Sequence, residues 1–271
     1  MSPMLFRLFI SCLILCSCLA VAAMGPWKES CGVDVPCEVG ERSYFILPPD
    51  GWDGETPLPV LLHFHGWQRQ GSLVVRHDRI ASATRKRGVL LVAPNGVRKT
   101  WRFWSSDTPD VGFAKAVLAD VAERFPIDAD QIYISGYSFG SAMAWRYVCR
   151  EGEGVAALLA IAGTLPQSED CTEAPAEVRH VHGVADTVMD FPMGPNGDVT
   201  YPVALWRKHY GCGNGVDIGP WQQRSFLTLQ RTQWECDGGR VSLDLHPGGH
   251  FIPHGWIARQ LDQLLGLPYS Y

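Results

Sequence analysis

The segment Gly136-Tyr137-Ser138-Phe139-Gly140 constrains the fold more than any other feature of the sequence. Residues 131–135, which precede it, are apolar and β-branched, as is typical of a buried strand. Residues 141–148, which follow it, favour a helix. Glycines on either side of a serine at such a junction allow a sharp turn that presents the serine hydroxyl. The sequence therefore predicts that Ser138 is a nucleophile; the alternative is a glycine-rich turn with an idle serine.

Strand and helix patterns alternate along the rest of the chain. This alternation predicts a mostly parallel central sheet with helices on both faces. Together with the serine turn, it indicates an α/β-hydrolase fold. The predicted strands are 42–47, 60–65, 88–93, 131–135, 155–162, 178–182, 224–235 and 240–245, and the predicted helices are 78–87, 110–123 (with Asp110 as N-cap), 141–148, 201–210 and 251–265.

The amino terminus has the pattern of a signal peptide. One charged residue, Arg7, precedes a largely apolar run over 8–21, which is short for a membrane span. We expect residues 1–23 to be cleaved after Ala22 or Ala23, which leaves no integral membrane span, or alternatively lipid attachment at Cys18. Residues 24–271 then form one catalytic domain.

Charge and cysteine usage favour an exported protein without nucleic-acid partners. The formal net charge of −5 provides no basic field. Six of the nine cysteines lie beyond the leader, and an even number in an exported chain implies disulfides. Six cysteines allow 15 connectivities, which the sequence alone does not separate. Our working hypothesis pairs neighbours, namely Cys31 with Cys37, Cys149 with Cys171 and Cys212 with Cys236.

A serine nucleophile needs a base and an acid that orients the base. In the predicted fold both follow the serine in the sequence, at the ends of later strands. The predicted acid is Asp186, in a tight turn after the strand 178–182, with Asp190 and Asp198 as rivals. The predicted base is His250, which two glycines precede after the strand 240–245. Its rivals are His246 and His254.

An oxyanion hole requires two backbone amides directed at the developing charge. The predicted donors are the amides of Phe139, directly after the nucleophile, and Trp67, in the loop after an early strand. His63 and His65 on that strand are expected to be buried histidines and not metal ligands, because no carboxylate cluster accompanies them. We expect neither a metal nor another cofactor. Four aromatic residues in loops near the predicted site are candidates for substrate contact, with core or surface packing as the alternative: Trp67, Trp101, Trp104 and Tyr137.

The ordered set of motifs resembles a known group of exported esterases. The set comprises His65-Gly66-Trp67, Asp110-Val111-Gly112-Phe113, the Ser138 turn, His182-Gly183-x-x-Asp186 and Gly248-Gly249-His250. The group unites polyhydroxybutyrate depolymerase catalytic domains with feruloyl and acetylxylan esterases, and the resemblance runs from about Cys31 to the closing helix. It implies an α/β-hydrolase with Ser138, Asp186 and His250 as catalytic triad, and it also favours the neighbour pairing of cysteines.

The resulting hypothesis is an exported serine carboxylic ester hydrolase, periplasmic or secreted, that works through an acyl-enzyme. Its substrate would be a small, oligomeric or polymeric ester of the polyhydroxyalkanoate type, or a feruloyl or acetyl ester of a carbohydrate. The alternatives are a serine peptidase or acyltransferase on the same fold, and an inactive exported binding protein.

Overall fold

The computed structural model describes residues 31–269, through which a ten-stranded sheet runs. Its strand order is β1-β2-β4-β3-β5-β6-β7-β10-β9-β8. Strands β4, β3, β5, β6, β7 and β10 are parallel, and antiparallel pairs close both edges. The strands are β1 (Cys37–Val39), β2 (Arg42–Leu47), β3 (Leu58–Phe64), β4 (Leu90–Pro94), β5 (Ile127–Tyr137), β6 (Ala157–Ile161), β7 (Glu177–Gly183), β8 (Val216–Arg224), β9 (Leu227–Cys236) and β10 (Gly239–His246).

Helices cover both faces of the sheet. Successive side chains of a strand point to opposite faces, so Leu62 packs in one apolar layer with Trp145, and Leu61 packs in the other with Trp256. This mostly parallel sheet between helical layers is the arrangement that the sequence predicts. The helices are α1 (Gly71–Val74), α2 (Asp78–Arg85), α3 (Pro109–Arg124), α4 (Phe139–Glu151), α5 (Ala204–His209) and α6 (Trp256–Leu264), with short 3₁₀ turns at Val97–Lys99, Pro195–Gly197 and Tyr201–Val203.

Helices α3 to α6 begin one to five residues from their predicted starts, and local structure accounts for two of these differences. The N-cap of α3 is Thr108, whose hydroxyl accepts a hydrogen bond from the Asp110 amide, so Asp110 lies in the first turn. Helix α6 begins at Trp256 and not at 251, because Gly255 adopts φ 78°, outside the right-handed helical region.

Three disulfides join neighbouring cysteines along the chain, as in our working hypothesis: Cys31–Cys37, Cys149–Cys171 and Cys212–Cys236. They fit a protein that matures in an oxidising compartment. Within residues 31–269, the helices are too short or too polar to cross a membrane. The predicted signal peptide, with Cys12, Cys16 and Cys18, lies outside the described residues.

The parallel strands bring the predicted site to one edge of the sheet. The carboxyl ends of β3, β5, β7 and β10 lie at this edge, and the loops that leave them carry Trp67, Ser138, Asp186 and His250. This is the edge at which open α/β sheets place their ligands.

Candidate active site

Ser138 occupies a strained turn between β5 and α4. Its φ of 59° and ψ of −125° lie in a region that residues with a side chain rarely adopt. Its amide donates to the Ile161 carbonyl at 2.9 Å. The turn fits only beside glycines, since a Cβ on Gly140 would lie 2.1 Å from the Phe64 carbonyl oxygen, and one on Gly163 would lie 2.3 Å from the Ser138 carbonyl oxygen. The packing around these glycines therefore holds the serine in its unusual conformation.

Asp186 and His250 form a direct pair. His250 Nδ1 lies 2.7 Å from Asp186 Oδ2. Asp186 Oδ1 accepts from the amides of Val188 and Met189 at 2.9 and 3.1 Å. Burial acts to raise the pKa of Asp186, but the hydrogen bonds from His250 and these amides outweigh it and leave the pKa lowered. The carboxylate is therefore ionised at neutral pH and orients the His250 ring.

The loops that carry Asp186 and His250 pack against each other. A Cβ on Gly183 would lie 2.1 Å from the Gly248 carbonyl oxygen, and the Ala185 amide donates to that same carbonyl at 3.2 Å. Neither loop could shift alone without breaking this contact.

Tyr137 joins His250 to the serine turn. Its ring centroid lies 4.9 Å from that of His250, and its hydroxyl donates to the His250 carbonyl at 3.1 Å. Within residues 31–269, no hydrogen bond links the Ser138 hydroxyl to His250. Such contacts are often loose in enzymes without substrate and tighten on binding.

The loop after β3 reaches Ser138. A Cβ on Gly66 would lie 3.6 Å from the Ser138 Cβ. Phe139 is the first residue of α4, where backbone amides have no partner within the helix. Trp67 is the next residue after Gly66 in the loop that follows β3. The two predicted oxyanion donors thus belong to segments that meet at Ser138.

His65 anchors this loop in one defined protonation state. Its Nδ1–H donates to the Gly66 carbonyl at 2.8 Å, and its Nε2 accepts from the Gly96 amide at 3.0 Å. Burial lowers the pKa of His65 to about 4, so the ring is neutral at neutral pH, as this pattern requires. The Gln68 amide also donates to the Lys99 carbonyl at 2.9 Å, which ties the loop to the segment after β4.

The four predicted substrate-contact residues have different surroundings. Trp67 and Trp104 are 59% and 62% exposed, and both lie near a patch of aromatic rings formed with Phe103 and Phe139. The prediction for Trp101 is wrong: its side chain is fully buried and donates to the His65 carbonyl at 2.8 Å, so it supports the loop from beneath. Tyr137 is partly exposed and packs on His250, as described above.

The remaining candidate histidines and acids serve other contacts. His246 is buried and accepts from the Gly248 amide, whereas His254 contacts Arg224. Asp198 accepts from the Thr200 amide and hydroxyl.

His63, on strand β3, also makes a contact within the fold. His63 Nδ1 lies 3.0 Å from the Ser135 hydroxyl, and burial lowers the pKa of His63 to about 3. Among the described residues, no group of three histidine, cysteine or acidic side chains is arranged to hold a metal ion.

The sequence analysis missed one contact of the candidate acid. His182 Nε2 lies 3.2 Å from Asp186 Oδ2, although His182 entered the sequence argument only as part of a motif. The signal was present, because His180 and His182 alternate on the predicted strand 178–182, and alternate residues of a strand share one face.

A cleft of about 590 Å³ lies away from these residues. It opens near the amino-terminal ends of the central strands, and its lining includes Ala129, Gly154, Pro175 and Tyr210. None of the candidate catalytic residues borders it, so the chemistry of the site does not depend on this cleft.

Comparisons with known proteins agree with the architecture. No protein-family model matches the chain. A feruloyl esterase C from Emericella nidulans is 26% identical over 220 residues, which cover 79% of this chain and 77% of that protein. A probable feruloyl esterase C from Aspergillus clavatus is 24% identical over 260 residues, which cover 91% and 92% of the two chains. The solved structure of an acetyl xylan esterase from Aspergillus awamori aligns with a TM-score of 0.63 at 12% identity, over 83% of this chain and 94% of that one, and so shares the α/β-hydrolase fold.

Proposed function

We propose that this chain, a carboxylic ester hydrolase related to the feruloyl esterases, works through a covalent acyl-enzyme on Ser138. His250 acts as general base, and Asp186 orients it. The observation that carries the proposal is the Asp186–His250 pair, joined at 2.7 Å and held beside the strained serine turn through Tyr137.

The first half of the reaction forms the acyl-enzyme. The Ser138 hydroxyl attacks the ester carbonyl carbon while His250 Nε2 takes its proton. Asp186 stabilises the imidazolium through His250 Nδ1–H. The amides of Phe139 and Trp67 donate to the oxyanion of the tetrahedral intermediate. His250 then protonates the leaving alcohol, which departs as the carbon–oxygen bond breaks.

The second half returns the enzyme to its starting state. Water attacks the acyl group while His250 again removes the proton. A second tetrahedral intermediate uses the same two amides, and its collapse releases the acid and returns the proton to Ser138. Protein groups alone supply the base, the orienting acid and the oxyanion donors, so each step is complete without a cofactor.

The exposed aromatic patch favours an ester whose acid carries a planar ring. Trp67 and Phe139 have ring centroids 6.4 Å apart, and Phe103 lies 5.0 Å from Phe139. Aromatic rings in such surroundings stack or pack edge to face. A feruloyl ester of a carbohydrate meets this requirement, and an acetyl ester or a hydroxyalkanoate oligomer does not. The relatives named feruloyl esterase point in the same direction.

The proposed location is outside the cytoplasm. The predicted signal peptide over residues 1–23 would direct export, and the three disulfides require an oxidising compartment to persist. Periplasmic and fully secreted locations both meet this requirement.

The test is a hydrolysis panel on the oxidised protein. The substrates are methyl ferulate, p-nitrophenyl acetate, acetylated xylan and hydroxybutyrate oligomers, and a fluorophosphonate probe reports the nucleophile. Ser138→Ala should abolish both turnover and labelling. Ser106→Ala, which removes an exposed serine in the nearby aromatic loop, should change neither. Full turnover by Ser138→Ala would overturn the mechanism, and labelling of Ser138 without ester turnover would favour a peptidase or an acyltransferase.

A substitution in the aromatic patch tests the substrate assignment. Trp104→Ala should raise KM for methyl ferulate about 2- to 12-fold, the equivalent of one aromatic contact, and leave hydrolysis of p-nitrophenyl acetate unchanged. Phe226→Ala removes an aromatic residue that is 75% exposed in the turn between β8 and β9, and it should leave both substrates unchanged. An equal effect of Trp104→Ala on both substrates would exclude a role in ring recognition.

A further inference from the structure

Two buried histidines lie behind the candidate acid. His180 and His182 alternate on β7 and are 0% and 1% exposed. His182 Nε2 lies 3.2 Å from Asp186 Oδ2, and His180 Nε2 lies 3.1 Å from His182 Nδ1. The three side chains form a continuous hydrogen-bonded row that leads from the sheet to Asp186.

The row has a single consistent arrangement of protons. An ionised carboxylate can only accept hydrogen bonds, so both ring nitrogens that face Asp186 Oδ2, those of His250 and His182, must carry hydrogen. Burial lowers the pKa of His182 to about 4, and a neutral ring has one N–H. Its Nδ1 is therefore a bare acceptor, and His180 Nε2–H must donate to it.

The tautomer of His180 follows from the same argument. Burial lowers its pKa well below the usual value, so it too is neutral at neutral pH. With the proton on Nε2, its Nδ1 is a bare acceptor. This atom is buried and has no hydrogen-bond partner among the described residues. Any other tautomer of His180 would place two lone pairs against each other between the two rings.

This arrangement gives His182 a definite role in the site. Asp186 Oδ1 is held by two backbone amides, whereas Oδ2, the atom that faces His250, has only one other partner. We propose that His182 is a positioning residue: it fixes Asp186 Oδ2 toward His250, and His180 fixes the tautomer in which His182 donates. The inference rests on the proposed function, because it assigns Asp186 the part of the orienting acid.

Two effects follow for turnover. Without the His182 donor, the carboxylate can rotate away from the plane that His250 Nδ1–H requires, and kcat falls. The carboxylate also keeps more negative charge on Oδ2, which favours protonated His250 over the neutral base. The acid limb of the pH profile of kcat/KM therefore moves to higher pH.

The other titratable groups near Asp186 do not change their protonation state in the neutral pH range. His246 at the end of β10 and Tyr137 at the end of β5 are also close enough to Asp186 to interact with its charge. Burial lowers the pKa of His246 to about 4 and raises the pKa of Tyr137 to about 12. Because His180 and His182 are neutral as well, a shift of the acid limb in the neutral range does not arise from any of these four groups.

The experiment compares three substitutions of one residue. His182→Gln keeps an amide N–H that can reach Asp186, His182→Asn keeps the amide but is too short to reach, and His182→Phe keeps a ring without a donor. The measurements on methyl ferulate, or on whichever ester of the panel is turned over fastest, are kcat, KM and the pH profile of kcat/KM. Fluorophosphonate labelling and melting temperature verify the nucleophile and the fold.

We expect Asn and Phe to lower kcat about 10- to 100-fold, which corresponds to one lost hydrogen bond to a charged group. KM should stay nearly constant and the acid limb should move to higher pH, and Gln should remain within about 3-fold of the parent. Parent-like kcat and acid limb in Asn or Phe would overturn the proposal. Equal losses in all three variants with an unmoved acid limb would also overturn it, since that pattern indicates packing alone.

A second measurement applies even to a variant with no turnover. The strongly hydrogen-bonded His250 Nδ1–H gives a downfield proton resonance, which should shift in the Asn and Phe variants and stay in place in Gln. An unshifted resonance in all three contradicts the proposal. Failure of the proposed function is recognised separately, because Ser138→Ala would then retain turnover in protein that carries the parent His182.

Discussion

At the scale of single residues, hydrogen bonds hold the Asp186 carboxylate in one orientation. Each carboxylate oxygen accepts two hydrogen bonds, Oδ1 from the amides of Val188 and Met189 and Oδ2 from His250 and His182. A carboxylate with all four partners in place cannot rotate without losing one of them. The carboxylate therefore holds the His250 ring in one orientation.

Asp186→Asn should reduce kcat by about four orders of magnitude. An amide that turns its NH₂ group toward His250 favours the tautomer with hydrogen on Nε2, and that ring cannot accept the Ser138 proton. Asp190→Asn changes an exposed acid in the same loop and is the matched control, with parent-like kinetics expected. Turnover of Asp186→Asn within tenfold of the parent would remove Asp186 from its role.

For single residues, sequence patterns are informative next to regular strands and helices but not within an irregular loop. Ser138, Asp186 and His250 follow strands, so the chain order and the strand ends indicate their place. Trp101 and Trp104 lie in a loop without periodicity, where nothing in the sequence separates the buried ring from the exposed one. Only the tertiary contact of Trp101 with the His65 carbonyl decides between them.

At the scale of elements, the close approach of α4 to β3 determines where the serine can sit. A Cβ on Gly140 would lie 2.1 Å from the Phe64 carbonyl oxygen and 2.4 Å from that of His65. Both contacts are with backbone, which cannot move aside as a side chain can. The first turn of α4 therefore packs directly against the strand that leads to the loop with Gly66 and Trp67.

Gly140→Ala should separate α4 from β3 and lower kcat/KM at least 10-fold, with a loss of about 1–3 kcal/mol in stability from overpacking. Gly112→Ala is the matched control, because Gly112 lies in α3, is exposed and has no atom within 4 Å of an added Cβ. That change should leave activity intact and stabilise the fold by about 0.5–1 kcal/mol. Urea unfolding and steady-state kinetics measure both, and parent-like values for Gly140→Ala would contradict the packing argument.

The sequence predicts strands well where both faces of the strand are buried. The central strands β4 and β6 are the continuous apolar runs that parallel sheets require, and each lies within two residues of its predicted bounds. Strand β8 was not predicted, because the exposed residues Val216 and Ile218 alternate with others that are also largely solvated. Edge strands of this kind gain their structure from pairing, here with β9, and not from an apolar face.

At the scale of the whole molecule, the disulfides should contribute according to the loops that they close. Cys149–Cys171 spans 22 residues and Cys31–Cys37 spans 6. Replacing both cysteines of the longer loop by alanine should cost about 3 kcal/mol, and the shorter loop about 2 kcal/mol. Urea unfolding of the two double variants provides the comparison, and a larger loss from the shorter loop would contradict the loop-entropy argument.

Five buried histidines make the stability of the whole fold depend on pH. Burial lowers the pKa of His63 to about 3, those of His65, His182 and His246 to about 4, and that of His180 well below its usual value. The unfolded chain binds these protons near pH 6.5, whereas the folded chain binds them only at lower pH, near 4 for His65, His182 and His246. The stability that they contribute is therefore complete above about pH 6.5 and is lost as the pH falls from there toward 4.

The free energy of unfolding, measured by urea titration from pH 8 to pH 4, should fall by up to about 1.4 kcal/mol per pH unit for each of these histidines. His63→Gln keeps a polar partner for Ser135. It should reduce the slope of the unfolding free energy against pH by the contribution of one proton. His209→Gln changes an exposed histidine at the end of α5 and should leave the slope as it is. A free energy that stays flat down to about pH 4.5 and falls only below would assign the acid sensitivity to carboxylates, whose ordinary pKa values lie near 4, and not to the buried histidines.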